Sequence, residues 1–543
     1  MSFTSWAFVV FLALVWSAYR VLPHRGQNVL LLLASYVFYG WWNVGFLFLL
    51  SFSTIVYYSS GLMINRGSMT RGERAGASLW LIVSAFAFVV VRWDGLSWSL
   101  APLSMRWDPS VASSAAWPVL AGTCGLVLLG NLLHPWNASL DEATRRRVSL
   151  WAGIAANLSI LGFFKYFNFF AANVQGLLGD LGGPAADLRL DIALPVGISF
   201  YTFQGMTYTI DIYRRRLAPT SRLPDLALFM AFFPVVLAGP IERASRLLPQ
   251  LTGVREVHPG QTSRGLYLIL QGLFKKAVLA DGVAVTANTV FGAAGPASWI
   301  DAIAGTFFFA IQLYCDFSGY SDMALGIGSL FGIQLTTNFR NPYFSRNVAE
   351  FWTRWHVSLS FWFRDYVFVP LGGASGGPLR WVRNVMLTFL LTGLWHGAAW
   401  TFVLWGLYHG ALLCLQRLKE TWKPRAPARN PLTAGLSIAG FFVITCYGWV
   451  LFRCRDLQHV VDFTTILVRD AGNLHLTAPL PPETTLVALP LLLVLELVGF
   501  LSRGKRLDEV LPVPVWTAFY AAMVFALILG AGAVSSQFVY FTF

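Results

Sequence analysis

Apolar residues run through this chain in long unbroken blocks, not in the short alternations of a soluble fold. Segments free of Asp, Glu, Lys and Arg cover residues 3–19, 26–64, 75–91, 109–140, 148–164, 192–210, 226–241, 323–339, 384–416, 430–452 and 510–543. A helix of about 20 residues crosses a hydrocarbon layer, so several blocks suffice for two passes or for a pass and a re-entrant segment. Membrane β-strands would alternate apolar with polar positions, and these blocks do not, so helices are the only way to satisfy their backbone groups in lipid. The pattern predicts an all-α fold: a polytopic transmembrane bundle of about 11–14 membrane-embedded helices. The polar connectors near 217–225, 243–264 and 419–429 are too short to make a core of their own, so residues 1–543 read as one membrane-embedded domain. Residues 3–19 lack a basic leader and an Ala-x-Ala-like cleavage site before Arg20, and are expected to stay as the first helix.

Composition agrees: 56% of residues are hydrophobic and 12% charged, against about 25% charged in soluble domains. The net charge of +13 comes from 39 Lys and Arg against 26 Asp and Glu, with clusters at Arg145–Arg147, Arg214–Arg216, Arg243 to Arg255, Arg417 to Arg429 and Arg503 to Arg506. Basic clusters lying between apolar blocks read as the positive-inside signal that orients loops, not as a nucleic-acid surface. The bilayer is therefore the expected partner, and nucleic acid is not. The five cysteines form no C-x-x-C pair and no Cys/His ligand spacing, so neither a disulfide nor a metal site is expected.

Chemistry concentrates toward the C-terminal half. Block 384–416 has no formal charge but contains His396 and His409. An imidazole at membrane depth needs a partner, a wet cavity or a task. Upstream, Trp352, Trp355, Leu359 and Trp362 recur at helical spacing, and Thr353, His356, Ser360 and Arg364 form a second stripe. This predicts one amphipathic helix, its tryptophans at headgroup level and its polar stripe, with His356, toward something wetter. Asp316, Tyr320 and Asp322 flank Gly319, a pattern open to a broken-helix turn lining a cavity or, more blandly, to a structural network with Arg340 or Arg354. His409 reads as a residue that orients a neighbouring helix.

The stretch F-W-T-R-W-H-V-S-L-S-F-W-F-R-D-Y at 351–366 is followed by L-T-G-L-W-H-G-A-A-W-T-F-V-L-W-G-L-Y-H-G at 391–410, its histidine forty residues after the first (396 − 356). With L-P-V-G-I-S-F-Y-T-F-Q at 194–204, F-F-P-V-V-L-A-G-P-I-E-R at 232–243, Y-C-D-F-S-G-Y-S-D-M-A at 314–324 and F-V-Y-F-T-F at 538–543, this resembles the membrane-bound O-acyltransferase family over nearly the whole chain. The likeness is greatest to its bacterial polysaccharide branch, exemplified by alginate O-acetylation. The resemblance implies re-entrant and interfacial helices around a central tunnel, His396 as the catalytic histidine and His356 as the second signature residue. Relatives acting on lipids or proteins often carry Asn or Asp at that second position, so a histidine there fits the polysaccharide branch.

Residue chemistry is consistent with that implication. Acyl transfer to a hydroxyl needs a base for its proton, neutral imidazole suits the task near pH 7, and a low dielectric favours the neutral form. Gly393 and Gly397 beside His396 leave room for a substrate or for a second helix. No nucleotide-binding loop appears, so no bound cofactor is expected and energy arrives in the substrate. The resemblance implies a cytosolic thioester, acetyl-coenzyme A. Lys275, Lys276, Arg340, Arg354 and Arg364 are candidates for its phosphates, with Ser360, Asp316 and Asp322 as further candidate substrate contacts.

The resulting expectation is a multi-pass enzyme of the bacterial inner membrane. It would work with periplasmic acetyltransferase-type partners and with the machinery that synthesises or exports the polysaccharide. Other acceptors share the chemistry: peptidoglycan, another exopolysaccharide, or teichoic acid in a D-alanylation system. Two readings from other classes are a transporter with an intramembrane proton relay, and a non-catalytic scaffold of a glycan synthase complex.

Overall fold

A computed structural model describes the chain except for residues 92, 94–95, 101–102, 108–115, 183–186, 293–294, 423–429, 531–537 and 539–543. The closing F-V-Y-F-T-F beyond Phe538 and the last part of the Arg417–Arg429 cluster lie outside the described residues. The chain divides into two compact units: residues 1–261 with 328–335, and residues 262–327 with 336–543.

The first unit contains helices α1 (Trp6–Val21), α2 (His24–Gly40), α3 (Phe46–Asn65) and α4 (Arg71–Ala85), a hairpin of β1 (Leu96–Leu100) and β2 (Leu103–Trp107), then α5 (Ala116–Ser139), α6 (Glu142–Asp180), α7 (Ile198–Tyr213), α8 (Leu223–Ala231) and α9 (Ala244–Thr252). That antiparallel hairpin is the one departure from helix among the described elements. Helix α3 is its centre. With lipid as apolar as leucine, membrane helices associate by close backbone approach through small residues. Thus Gly61 of α3 lies against Tyr208 of α7, Gly205 of α7 against Tyr57 of α3, and Gly153 of α6 against Ser60 of α3.

Local signals fix the helix ends. Thr70 and Glu73 form a reciprocal capping box at the start of α4, and Asp141 caps α6. Arg146, one of the arginines read as a topology signal, is buried; it donates to the carbonyls of Ile64 (2.9 Å) and Tyr213 (2.6 Å), satisfying the C-terminal ends of α3 and α7.

The second unit contains α10 (Pro259–Leu273), a π-turn at Phe274–Ala280, α11 (Asp281–Val290), α12 (Trp299–Leu330), α13 (Val348–Trp352), α14 (Val357–Phe363), a π-turn at Arg364–Phe368, α15 (Pro378–His396), α16 (Trp400–Trp422), α17 (Pro431–Arg453), α18 (Leu457–Arg469), α19 (Glu483–Leu501), α20 (Leu507–Val510) and α21 (Val513–Gly530). Its core packs aromatic and branched residues of α12, α16, α17 and α19 around Phe309, Trp355, Trp405 and Trp449. Gly319 does not break a helix as the sequence allowed. It lies within continuous α12, facing the Gly272 carbonyl of α10, while Gly326 faces that of Gly265, so the glycines serve helix contact.

Among the described residues eight helices are long and apolar enough to cross a membrane: α3, α4 with the turn that follows it, α5, α6, α12, α17, α19 and α21. The architecture is the helical, polytopic one read from the apolar blocks.

Candidate active site

The predicted amphipathic helix over 352–364 is two short helices with a break between them. Helix α13 ends at Trp352, and α14 begins after His356, whose φ of 42° lies in the left-handed region. A non-glycine residue there costs about 1–3 kcal/mol and persists only where its surroundings over-determine it. Here they do. The Asn338 carbonyl accepts from Val357 N–H (2.9 Å), and its side-chain oxygen accepts from both the N–H (3.2 Å) and the hydroxyl (2.9 Å) of Ser358. Two residues on, Arg340 and Arg354 exchange hydrogen bonds through each other's carbonyls, at 2.9 and 3.1 Å. Asn338 is a residue the sequence reading did not single out, although an amide in an apolar block, where Gln334 is the other, was the available signal.

The break changes where the stripes point. Trp355 and Trp362 are buried, not at headgroup level; Trp355 stacks on Phe351 (5.6 Å between centroids) and packs against Trp449 (4.8 Å). The polar residues do not form a stripe either: His356 is fully buried, whereas Thr353 and Arg364 are exposed. His356 lies edge-on to Phe317 (4.6 Å), near Trp395 (5.7 Å), with the His396 ring 6.5 Å away between centroids. The fold therefore brings together the two imidazoles that the sequence holds forty residues apart.

His396 is the last residue of α15, and Gly397 leaves the helix in an extended conformation. Trp395, Trp405 and Phe452 wall the ring at 4.9, 4.9 and 5.3 Å, and 4% of the residue remains exposed. The glycines beside it meet protein. A Cβ on Gly393 would strike the Phe402 carbonyl of α16, one on Gly406 the Phe389 carbonyl of α15, and one on Gly397 the Phe402 ring. Of the two roles open in the sequence, these glycines take the second: α15 and α16 form a hairpin in backbone contact that fixes the height of His396. His409 is buried beyond Trp405 (4.9 Å), stacked on Phe351 and set against Gly448, so it packs α16 on α13 and α17.

The remaining candidates separate into groups. Lys275 pairs with Asp322 (3.1 Å) and Glu496 (3.4 Å), and Lys276 with Asp281 (2.8 Å) and Asp316 (2.9 Å), all largely buried. Glu496 also accepts from the Tyr314 hydroxyl (2.6 Å) and the Asn341 amide (2.8 Å). A structural network around Asp316 and Asp322 was the bland expectation, but its cations are these lysines, not Arg340 or Arg354. Asp316 adjoins Phe317 on α12, so this network anchors the helix that walls His356. Arg354 pairs with Glu350 (2.9 Å) and Arg364 with Asp365 (2.7 Å). Burial pushes the Glu350 carboxyl up, but the Arg346 N–H and the Arg354 and Arg346 guanidinium groups outweigh it and hold it below the ordinary range.

A cavity of about 340 Å³, mostly apolar, is lined by residues of α13 to α16, among them Trp352, Ser360, Arg364 and Thr392. Ser360 and Thr392 lie one helical turn from His356 and His396 respectively. The Ser360 hydroxyl donates to the Trp355 carbonyl (3.2 Å), a second tie across the break.

Comparison with known proteins adds to this geometry. Residues 213–455, which include both histidines, match the model of the membrane-bound O-acyltransferase family. The chain is 35% identical over 461 residues to the probable alginate O-acetylase AlgI of Pseudomonas aeruginosa, covering 84% of this chain and 73% of that protein. The chain belongs to the membrane-bound O-acyltransferase family. It is accordingly a multi-pass membrane O-acyltransferase. Other members are similar over shorter spans: the peptidoglycan O-acetyltransferase of Helicobacter pylori at 37% identity over 339 residues (58% of this chain, 63% of that one), and the teichoic acid D-alanyltransferase of Bacillus subtilis at 32% over 280 residues (49% and 70%).

Proposed function

We propose that this acyltransferase works in the bacterial inner membrane, taking an acetyl group from cytosolic acetyl-coenzyme A and passing it across the bilayer for O-acetylation of an exported polysaccharide such as alginate. The observation that carries the reading is the pair of buried imidazoles of His356 and His396, 6.5 Å apart between centroids, at the end of a backbone-locked hairpin. The similarity to alginate O-acetylases over most of the chain supports the choice of acceptor class.

In the proposed step a neutral His396 nitrogen takes the proton of the acceptor hydroxyl as its oxygen bonds to the thioester carbonyl carbon. The tetrahedral centre collapses, the carbon–sulfur bond breaks, and the proton passes from imidazolium to the leaving thiolate. His356, across the gap, holds the acyl oxygen as its charge develops. The apolar cavity beside Ser360 and Thr392 takes the thioester arm, with Arg364 on its lining toward the donor's phosphates. Lys275 and Lys276, each held by two carboxylates, anchor α12 instead. The immediate acceptor is a hydroxyl on a periplasmic acetyltransferase-type partner or a relay species, which delivers the group to the glycan as the synthesis and export machinery moves it.

Membranes containing the wild-type chain or His396→Ala, given radiolabelled acetyl-coenzyme A and a hydroxyl acceptor, test the reading. The expected result is normal insertion with transfer reduced about 10²–10⁴-fold, the contribution of a positioned base. Full transfer by the variant overturns the role of His396. Translocation of acetyl groups without a new ester would favour a transporter, and loss of the synthase complex together with transfer would favour a scaffold. Mass analysis of exported glycan from cells with and without the protein distinguishes alginate-type polysaccharide from peptidoglycan or D-alanylated teichoic acid.

A further inference from the structure

The first unit contains a second cavity, of about 390 Å³, enclosed by α3, α4, α5 and α6 and used by none of the chemistry above. Its wall is mostly hydrocarbon, and it opens past the outer side of α5, where the lining residues Leu126, Leu133 and Trp136 are themselves exposed. Only 11% of the membrane-crossing window of α5 is buried, so bilayer lipid reaches this opening directly.

One end of the cavity is polar. Arg74, in the first turn of α4, lies there with His134 and Asn137 from the last turns of α5. Among the described residues the Arg74 guanidinium makes no hydrogen bond and no ion pair, and its Nε is buried. Asn137 donates to the Ser149 hydroxyl (3.0 Å), which leaves its own buried side-chain oxygen without a partner. His134 Nε2 accepts from the Met69 N–H (3.0 Å), so the neutral ring carries its proton on Nδ1. The neighbouring carboxylate cannot serve Arg74, since Glu73 is committed to Arg66 (2.8 Å) and to the α4 cap. Arg74 is part-exposed, so an anionic headgroup can reach its guanidinium, whose buried Nε has a donor to satisfy.

Arg66, Arg71, Arg145–Arg147 and Arg214–Arg216 gather at this same end, because α3, α5 and α7 finish there and α4 and α6 begin there. A pocket between membrane helices with a basic end and an apolar body has the chemistry that recognises lipid headgroups. We propose that this cavity binds one anionic glycerophospholipid of the bilayer, its phosphate on Arg74 and an acyl chain lying inside α5 against α3 and α4. A free phosphate would leave the hydrocarbon wall unfilled. A zwitterionic lipid would bring an ammonium group to an end whose carboxylates are already engaged, Glu73 with Arg66, Glu142 with Arg215 and Asp141 with the cap of α6.

The test uses the purified full-length protein in detergent, titrated with phosphatidylglycerol or phosphatidylcholine of matched chains and read by native mass spectrometry. Wild type is expected to retain phosphatidylglycerol about tenfold better, the loss expected for one charge-assisted contact. Arg74→Gln should bring retention down to the phosphatidylcholine level, whereas Arg189→Gln, between the opposite ends of α6 and α7 and outside the lining, should leave it unchanged. Gly130→Leu, at a lining position where a Cβ meets nothing within 4 Å, fills the cavity and should lower retention of both lipids. Equal retention of the two lipids by wild type, or full phosphatidylglycerol retention by Arg74→Gln or Gly130→Leu, overturns the proposal. Displacement of phosphatidylglycerol by millimolar inorganic phosphate alone would also overturn it, in favour of a simple anion site.

Discussion

Replacing Gly393 by alanine tests whether the α15–α16 hairpin sets the catalytic geometry. The added methyl would overlap the Phe402 carbonyl and lie 3.3 Å from the Gly406 Cα, both on the backbone of α16, so no side-chain rotation relieves it. A carbon–oxygen contact belongs at about 3.3 Å, which requires α15 to retreat from α16 by roughly 1 Å. His396 stands three residues further along the same helix, and its walls Trp405 and Phe452 belong to α16 and α17, so the imidazole moves relative to its pocket. A 1 Å misplacement of a reacting group costs about 10²-fold in rate, and overpacking of this kind costs about 1–3 kcal/mol in stability. The assay is acetyl transfer at saturating donor, with thermal unfolding of the same purified samples. Gly406→Ala, which strikes the Phe389 carbonyl from the opposite helix, should reproduce both effects. Gly122→Ala on α5, with open space around it, should change neither. If Gly393→Ala transfers acetyl groups at the wild-type rate, the hairpin does not position His396 and the reasoning is wrong.

Further outcomes follow from the same structure. Asn338→Ala removes the acceptor that ties Ser358 to the connector, frees the left-handed turn at His356, and should lower transfer about tenfold or more with the protein still inserted; steady-state rates against donor concentration check this. Lys276→Ala leaves Asp281 and Asp316 buried without this cation and should cost about 3–5 kcal/mol, seen as a fall in thermal stability or yield, whereas a triple change that also neutralises both aspartates should recover much of it. Because the Glu350 carboxyl is held below its ordinary range, its ionic contacts are fully present above the unfolded-state value of about 4.3 and are lost as pH falls through the lower folded value. Hydrogen exchange of residues 346–354 should therefore rise on acidification into that window, and Glu350→Gln should abolish the dependence.

What this chain is was legible without coordinates. Blocks of uncharged residues leave lipid-embedded helix as the only backbone solution, and a histidine at membrane depth such as His396 requires an explanation, so the class followed from composition and position, while the pairing of His396 with His356 as catalytic candidates came from the family resemblance. What decides the site was not legible, because it depends on contacts between residues distant in sequence. Periodicity over 352–364 described a continuous helix, since the tryptophan spacing fits 3.6 residues per turn whether or not the chain breaks at His356. The break is imposed by Asn338, eighteen residues earlier (356 − 338), through hydrogen bonds that no local pattern records. The same holds for the partners of Lys275: Glu496 is brought to it from 221 residues away (496 − 275), and a charge among apolar residues does not name its counter-ion. Gly393 could have served substrate or helix until α16 was seen lying against it. Sequence fixes which groups must leave water, because transfer free energy belongs to each side chain; tertiary structure alone fixes which of them meet, because that depends on how whole helices close-pack.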